Sequence, residues 1–384
     1  MRKMPAGQLY DNIAAITAVG LIAVLAIYIL PTMNFQNIKT VDEQQLINIA
    51  QNLLNSMLLD EGCPKRWGSY YPFNEDIVQS FGLALSGADK FYVLDPDKVQ
   101  RLVGNNPTGY ISYEKIKSLL NVEGYGFSLS IKPPFKVQIE DKSESLKHLI
   151  FEVSVFDWDG KAIPKAEVRA TTVYCTGQGN NIQIHPPKKA FNITDFLGRC
   201  KIEQTLDENQ IKNVATIFHV SLHGLSTYTV VYQEVPPDNI ADINFVNGTI
   251  ILTQNGVPTP HQNVKIERIL IYGYEGEVIW DYNGTQHDCI TYWSGSGDPP
   301  PGYKLWDKKV NIDDPELILF VFSATIPGEG RVSIAIVGPN PLWKGYRVTH
   351  FGDYPNQRDA VTVRRSVLIS GMTYIAELSL WKET

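Results

Sequence analysis

The chain has 384 residues, 43% of them hydrophobic, with 34 basic against 41 acidic side chains and a net charge of −7. That length exceeds one compact domain, so two or three are expected, each with enough apolar residues to build a core. The mild acidic balance, with no basic stripe carrying interleaved aromatics, excludes nucleic acid as a partner.

Residues 1–12 are a short basic N-terminus with Arg2 and Lys3 near its start, and 13–30 read IAAITAVGLIAVLAIYIL without a charge. As a helix this run reaches roughly 27 Å, close to the hydrocarbon thickness of a bilayer. It is apolar all round, unlike a core helix with one wet face, and it predicts a transmembrane helix. Basic residues before it and a long polar chain after it put the N-terminus in the cytoplasm and the rest outside the cell. The run ends at Tyr28-Ile-Leu-Pro31 without the small residues of a signal-peptidase site, so the span is expected to be retained. The start RKMPAGQLYDN, basic residues and then Ala6-Gly7 directly before the apolar run, resembles the signal of type IV pilins and archaellins. The resemblance implies cleavage between Gly7 and Gln8. It also implies a helix that packs subunits in a filament core and holds them in the membrane before assembly. The chain departs from that pattern in having no charge directly before Gly7 and its acid, Asp11, one place early.

Residues 31–145 are predicted to form a helical stalk and a small α/β head. Val41, Leu46, Ile49, Ala50, Leu53, Leu54, Met57 and Leu58 make one helical stripe, stopped by Gly62-Cys63-Pro64. Asp95-Pro96 opens a short helix to Leu102, Ser112 caps another through Leu120, and YGFSLSI at 125–131 is a strand ended by Pro133-Pro134. The segments GCPKRWG at 62–68, FGLA at 81–84 and LDPDKV at 94–99, closed by that strand, resemble the head of archaeal membrane-anchored, pilin-like proteins.

Residues 146–235 carry the sharpest fold signal. LIFEVSVF alternates as a strand, Asp157-Trp-Asp159-Gly160 turns it, and 163–170 begin the next; Asp195-Phe-Leu-Gly198 makes a matching turn, and strands follow near 216–222 and 227–232. The order VxDxDGxxIPxAxV then TDxxG resembles the immunoglobulin-like modules of bacterial and archaeal surface proteins, including the carboxypeptidase-regulatory-like type. That implies a β-sandwich that spaces or presents. Asp157 and Asp159 could also begin a calcium loop, but Lys161 and Val168 stand where further ligands are needed.

Residues 236–384 read as a distal β domain, a sandwich or jelly roll, with strands at 248–253, 264–272, 317–325, 331–337, 361–369 and 373–380. Its loops are rich in aromatics. Trp280, Trp293, Trp306 and Trp343 are candidates for stacking on sugar, against the plainer reading of loop packing. The charged end Lys382-Glu-Thr predicts no second anchor.

Outside the cell the four cysteines suggest disulfides, with Cys175 and Cys200 as the preferred pair and Cys63 with Cys289 as the remainder. Asn192, Asn247 and Asn283 head glycosylation sequons. No nucleophile elbow, P-loop, dinucleotide fingerprint or metalloprotease motif occurs. His219 and His223 would share a face if both lay on one strand, but structural histidines are the plainer reading. The sequence thus predicts a mainly β, non-enzymatic surface protein without metal or cofactor. It is structural or adhesive: a pilin-like subunit or an anchored envelope protein. Its expected partners are the lipid bilayer, its own copies or other surface or pilus subunits, and glycan. The alternative is a membrane-tethered ectodomain that binds or cleaves carbohydrate.

Overall fold

The computed structural model describes residues 43–104, 109–176, 183–233, 242–247, 249–253, 265–272, 278–283, 304–309, 318–326, 329–337, 349–353 and 360–383. The expected span at 13–30, the Gly7–Gln8 junction, Cys289, Trp293 and Trp343 lie outside them. Among the described residues no helix is long and apolar enough to cross a membrane.

The chain is mainly β. The head holds α1 over 43–59, β1 (Val93–Leu94), α2 (Pro96–Gln100), α3 (Tyr113–Leu120) and β2 (Tyr125–Lys132). Next come β3 (Lys136–Asp141), β4 (His148–Phe156), β5 (Glu167–Thr176), β6 (Gln183–Ile184), β7 (Lys188–Ile193), β8 (Arg199–Thr205), β9 (Ile211–Leu222) and β10 (Leu225–Gln233). Then follow β11 (Asp242–Val246), β12 (Thr249–Thr253), β13 (Lys265–Tyr272), β14 (Val278–Asn283), β15 (Lys304–Lys309), β16 (Ile318–Ile326) and β17 (Glu329–Val337). The last strands are β18 (Thr349–Gly352), β19 (Val361–Ile369) and β20 (Met372–Lys382).

α1 forms where the helical stripe predicts it. Leu46, Ala50, Leu53, Leu54, Met57 and Leu58 are buried on one face, while Glu43, Gln44 and Gln51 stay in water. Each buried Leu removes enough apolar surface to contribute roughly 1.5–3 kcal/mol before chain entropy is counted.

The sheet that shares this core has the order β1-β19-β20-β2-β18. The C-terminal segment is therefore not part of a separate distal domain, as its position in the chain suggested, but completes the head. Tyr374, Ala376, Leu378 and Leu380 alternate onto the face that also carries Phe127, Leu129 and Ile131 of β2. In register Phe127 meets Leu380 and Leu129 meets Leu378, all buried with the α1 stripe. An alternating strand announces a buried face but not a partner so distant in sequence. β11, β12 and β15 form one antiparallel sheet, and β14-β13-β16-β17 form another.

The middle segment is a two-sheet sandwich, β3-β4-β8 against β10-β9-β5 with β6 and β7 also paired to β5. It begins ten residues before the expected boundary at 146, because β3 pairs along β4 with Val137 opposite Val155. Phe151, Val153, Val168, Ala170, Phe218 and Val220 fill its interior. Both sides are closed by side chains. Asn192 Nδ2 donates to Lys201 O at 2.7 Å, and Gln233 Nε2 donates to Asp141 Oδ2 at 2.6 Å.

The sandwich is not a bead on a string. The outer face of its β5–β9–β10 sheet contributes Val173, Cys175, Ala215, Ile217 and Tyr228 to the head core. At the junction, Trp158 Nε1 donates to Pro133 O at 2.7 Å. Lys132 Nζ lies 5.0 Å from the Trp158 ring and 2.9 Å from Glu377 Oε2. Trp158→Phe keeps the packing and removes one donor. It should cost about 1 kcal/mol, seen as a lower denaturant midpoint at unchanged slope.

This layering corrects the expected disulfide. Cys175 and Cys200 are not bonded to each other. Cys175 points into the head core, whereas Cys200, on β8 of the facing sheet, packs on the sandwich interior. Cys175 faces away from the sheet that carries Cys200, so the β5 sheet lies between the two sulfurs and a disulfide cannot reach across it. Burial, with Asp195 adding to it, pushes the Cys200 thiol up to about 11, so it stays protonated and inert at neutral pH. Cys63 is a free thiol, its Sγ 3.5 Å from Gln79 Oε1.

Candidate functional site

The head motifs that lie apart in sequence meet at one buried polar centre. Asp95 caps α2 by accepting from Asp97 N at 2.9 Å. Lys98 Nζ, fully buried, donates to Glu61 O at 2.9 Å and Ala84 O at 2.7 Å. Arg101 donates to Gly68 O, Tyr70 O and Gly109 O. A Cβ on Gly68 would lie 2.4 Å from Lys98 N, so only glycine lets the Trp67 loop reach α2. Asp97 accepts from Ser69 Oγ at 2.7 Å and from Asn247 N at 3.1 Å. Burial raises both carboxyls, Asp95 to about 6, and lowers Arg101 to about 10. Every donor here is aimed at a loop carbonyl or carboxylate, so this centre holds loops together.

A site with room for a ligand lies on the outer face of the larger sandwich sheet. A groove of about 510 Å³ is lined by Arg169, Thr171, Lys189, Phe191 and His219. Strand pairing fixes the layout: Arg169 has Phe191 of β7 as its cross-strand partner on one side and His219 of β9 on the other. His219 lies opposite Tyr228 of β10, and their rings stack at 4.7 Å. Glu167 Oε2 accepts from Arg169 Nη2 at 3.3 Å. Phe191 is 54% exposed and Ile193, two residues on along the same face, 48%. Two cations, a hydroxyl and flat rings form a set suited to holding an anion.

Of the residues singled out in the sequence, His219 lines this groove and the other described ones fall elsewhere. His223 is not on the strand face of His219: it sits in the β9–β10 turn at φ 51° beside Gly224, where the chain must adopt a left-handed conformation to form the hairpin. The described residues hold no cluster of three metal-ligating side chains. Asp157 Oδ1 accepts from Asp159 N and Lys161 N, and Asp195 Oδ1 from Leu197 N and Arg199 N, so both Asp-x-x-Gly segments are turns closed by their own carboxylates. Asn192 is exposed, but the Thr194 hydroxyl of its sequon is buried, donating to Ile163 O and accepting from Ala166 N. Asn247 is exposed in the β11–β12 turn. Asn283 and Trp280 fall on β14 and Trp306 on β15. Arg169 and Phe191 escaped the sequence reading because alternation gives each strand's outer face without saying that β7 pairs with β5.

No protein-family model and no curated protein matches the chain. Among solved structures it is similar to trypsin-activated alpha-2-macroglobulin from Escherichia coli, at 8% identity over 61% of this chain and 18% of that one, with a TM-score of 0.22. It is also similar to invasin, a bacterial integrin-binding protein, at 13% identity over 64% of this chain and 54% of that one, with a TM-score of 0.18. The chain thus spans less than two thirds of either structure, and neither likeness assigns a function.

Proposed function

We propose that this chain is a non-enzymatic surface protein held by a single N-terminal helix, its N-terminus cytoplasmic and its β domains displayed outside the cell as a structural or adhesive body. On this reading 13–30 sits in the bilayer, and cleavage after Gly7 would make the chain a pilin-like subunit. The partners are then lipid, further copies of the chain or other surface subunits. The observation that carries the reading is α1. Only residues 31–42 separate the apolar run from a helix whose stripe is buried in the core shared by head and sandwich. Force or assembly acting on the N-terminal segment would therefore reach both bodies through packed side chains.

The test is the N-terminal residue and intact mass of the native protein extracted from membranes. A mature chain beginning at Gln8 is expected for pilin-type processing. A chain that keeps Met1 or Arg2 would leave a static anchor, and one beginning beyond residue 30 would overturn the membrane span.

A further inference from the structure

We propose that the groove on the outer face of the β7–β5–β9 sheet binds an acidic saccharide. A sugar ring lies on Phe191, and its carboxylate or sulfate is held by Arg169 and Lys189. The inference goes beyond the display reading and does not depend on the N-terminal segment.

Register provides the geometry. Phe191 and His219 are both direct cross-strand partners of Arg169. At about 4.8 Å between strands the backbone positions of Phe191 and His219 stand about 10 Å apart with that of Arg169 between them. Lys189 lies on the same face as Phe191, two residues along β7, so a second cation sits about 7 Å from the ring. A ring-shaped anion fits this spacing, with its C–H face on the negative π-face of Phe191 and its charge on the fork of Arg169.

Charge and backbone narrow the class further. The chain is acidic, with a net charge of −7, so its overall field repels polyanions, and attraction here must come from this local cluster. Glu167 offsets part of Arg169, and Lys189 leaves the groove cationic. β5, the central strand of the groove, is hydrogen-bonded to β9 on one side and β7 on the other, so its own backbone is satisfied and it offers side chains to a ligand. Phe191 remains in water while its neighbour Ala190 packs on the sandwich core, so the ring is placed as a platform and not as core.

The full-length protein in detergent should be titrated with polygalacturonate and dextran sulfate, and with neutral dextran and polyglutamate as comparisons. Binding to either acidic polysaccharide, weakening as salt is raised, is expected. Phe191→Ala and Arg169→Gln should each weaken it at least about tenfold, and Lys189→Gln severalfold. Phe196→Ala, at the neighbouring exposed turn, should leave it unchanged. All four side chains face water, so unchanged thermal midpoints should accompany these results. Equal affinity for polyglutamate would overturn the proposal in favour of an acidic-peptide site. Equal affinity for neutral dextran, indifference to the groove substitutions, or no binding to either acidic polysaccharide would also overturn it.

Discussion

Replacing Arg101 by Met should cost about 3–5 kcal/mol of folding free energy, the range for removing one member of a buried charge network. Arg101 is fully buried, and its planar head bridges the 68–70 segment and the loop at 109. Nε donates to Gly68 O at 2.9 Å, Nη2 to Tyr70 O at 2.8 Å and Nη1 to Gly109 O at 3.1 Å. The guanidinium carbon lies 4.7 Å from the Phe73 ring centroid. Met fills similar volume but strands three carbonyls and leaves Asp97 without its neighbouring cation. Lys restores the charge but not the fork, so Arg101→Lys should recover less than half of the loss. Domains of this kind have about 5–15 kcal/mol in total, so the Met variant should unfold at a markedly lower denaturant concentration. A loss below about 1 kcal/mol would show that the 68–70 and 109 loops hold each other without it.

Local structure was legible in the sequence, and long-range assembly was not. The α1 stripe, the Asp95 and Ser112 caps, β2 and the paired Asp-x-x-Gly turns all appear where spacing and turn chemistry put them, because each depends on neighbours within a few residues. Ser112 Oγ accepts from Lys115 N as the capping rule requires. The expected disulfide failed for the opposite reason. Strand patterns placed Cys175 and Cys200 on neighbouring segments, but which side of a sheet each faces depends on pairing with β9 and β4. The same limit hid the return of β19 and β20 to the head, and it hid the groove, whose residues come from three strands. Arg169, Phe191 and His219 become one site only through register.

The pH dependence of stability provides the second large effect, and it comes from Asp95. The residue is 5% exposed; Oδ1 accepts from Asp97 N, and Oδ2 lies 3.7 Å from Lys98 Nζ. Burial, and next the charge of Asp97, raise its carboxyl from 3.8 to about 6. The folded state therefore holds this proton more tightly than the unfolded chain does. Its contribution is fully present below about pH 4 and is lost as pH rises through about 6. A shift of this size corresponds to roughly 3 kcal/mol. Asp95→Asn keeps an N-cap acceptor and removes the titration. The unfolding free energy of the parent minus that of the variant should fall by up to roughly 3 kcal/mol between about pH 4 and about pH 7.5. Glu377 works in the opposite sense. Burial raises its carboxyl, but hydrogen bonds from Lys132 and Arg364 outweigh this and hold it low, so it stabilises at higher pH. It is common to both proteins and cancels in the difference. A difference that stays flat across that range would mean that water reaches Asp95, and the polar centre under the Trp67 loop would then be open where the structure has it closed.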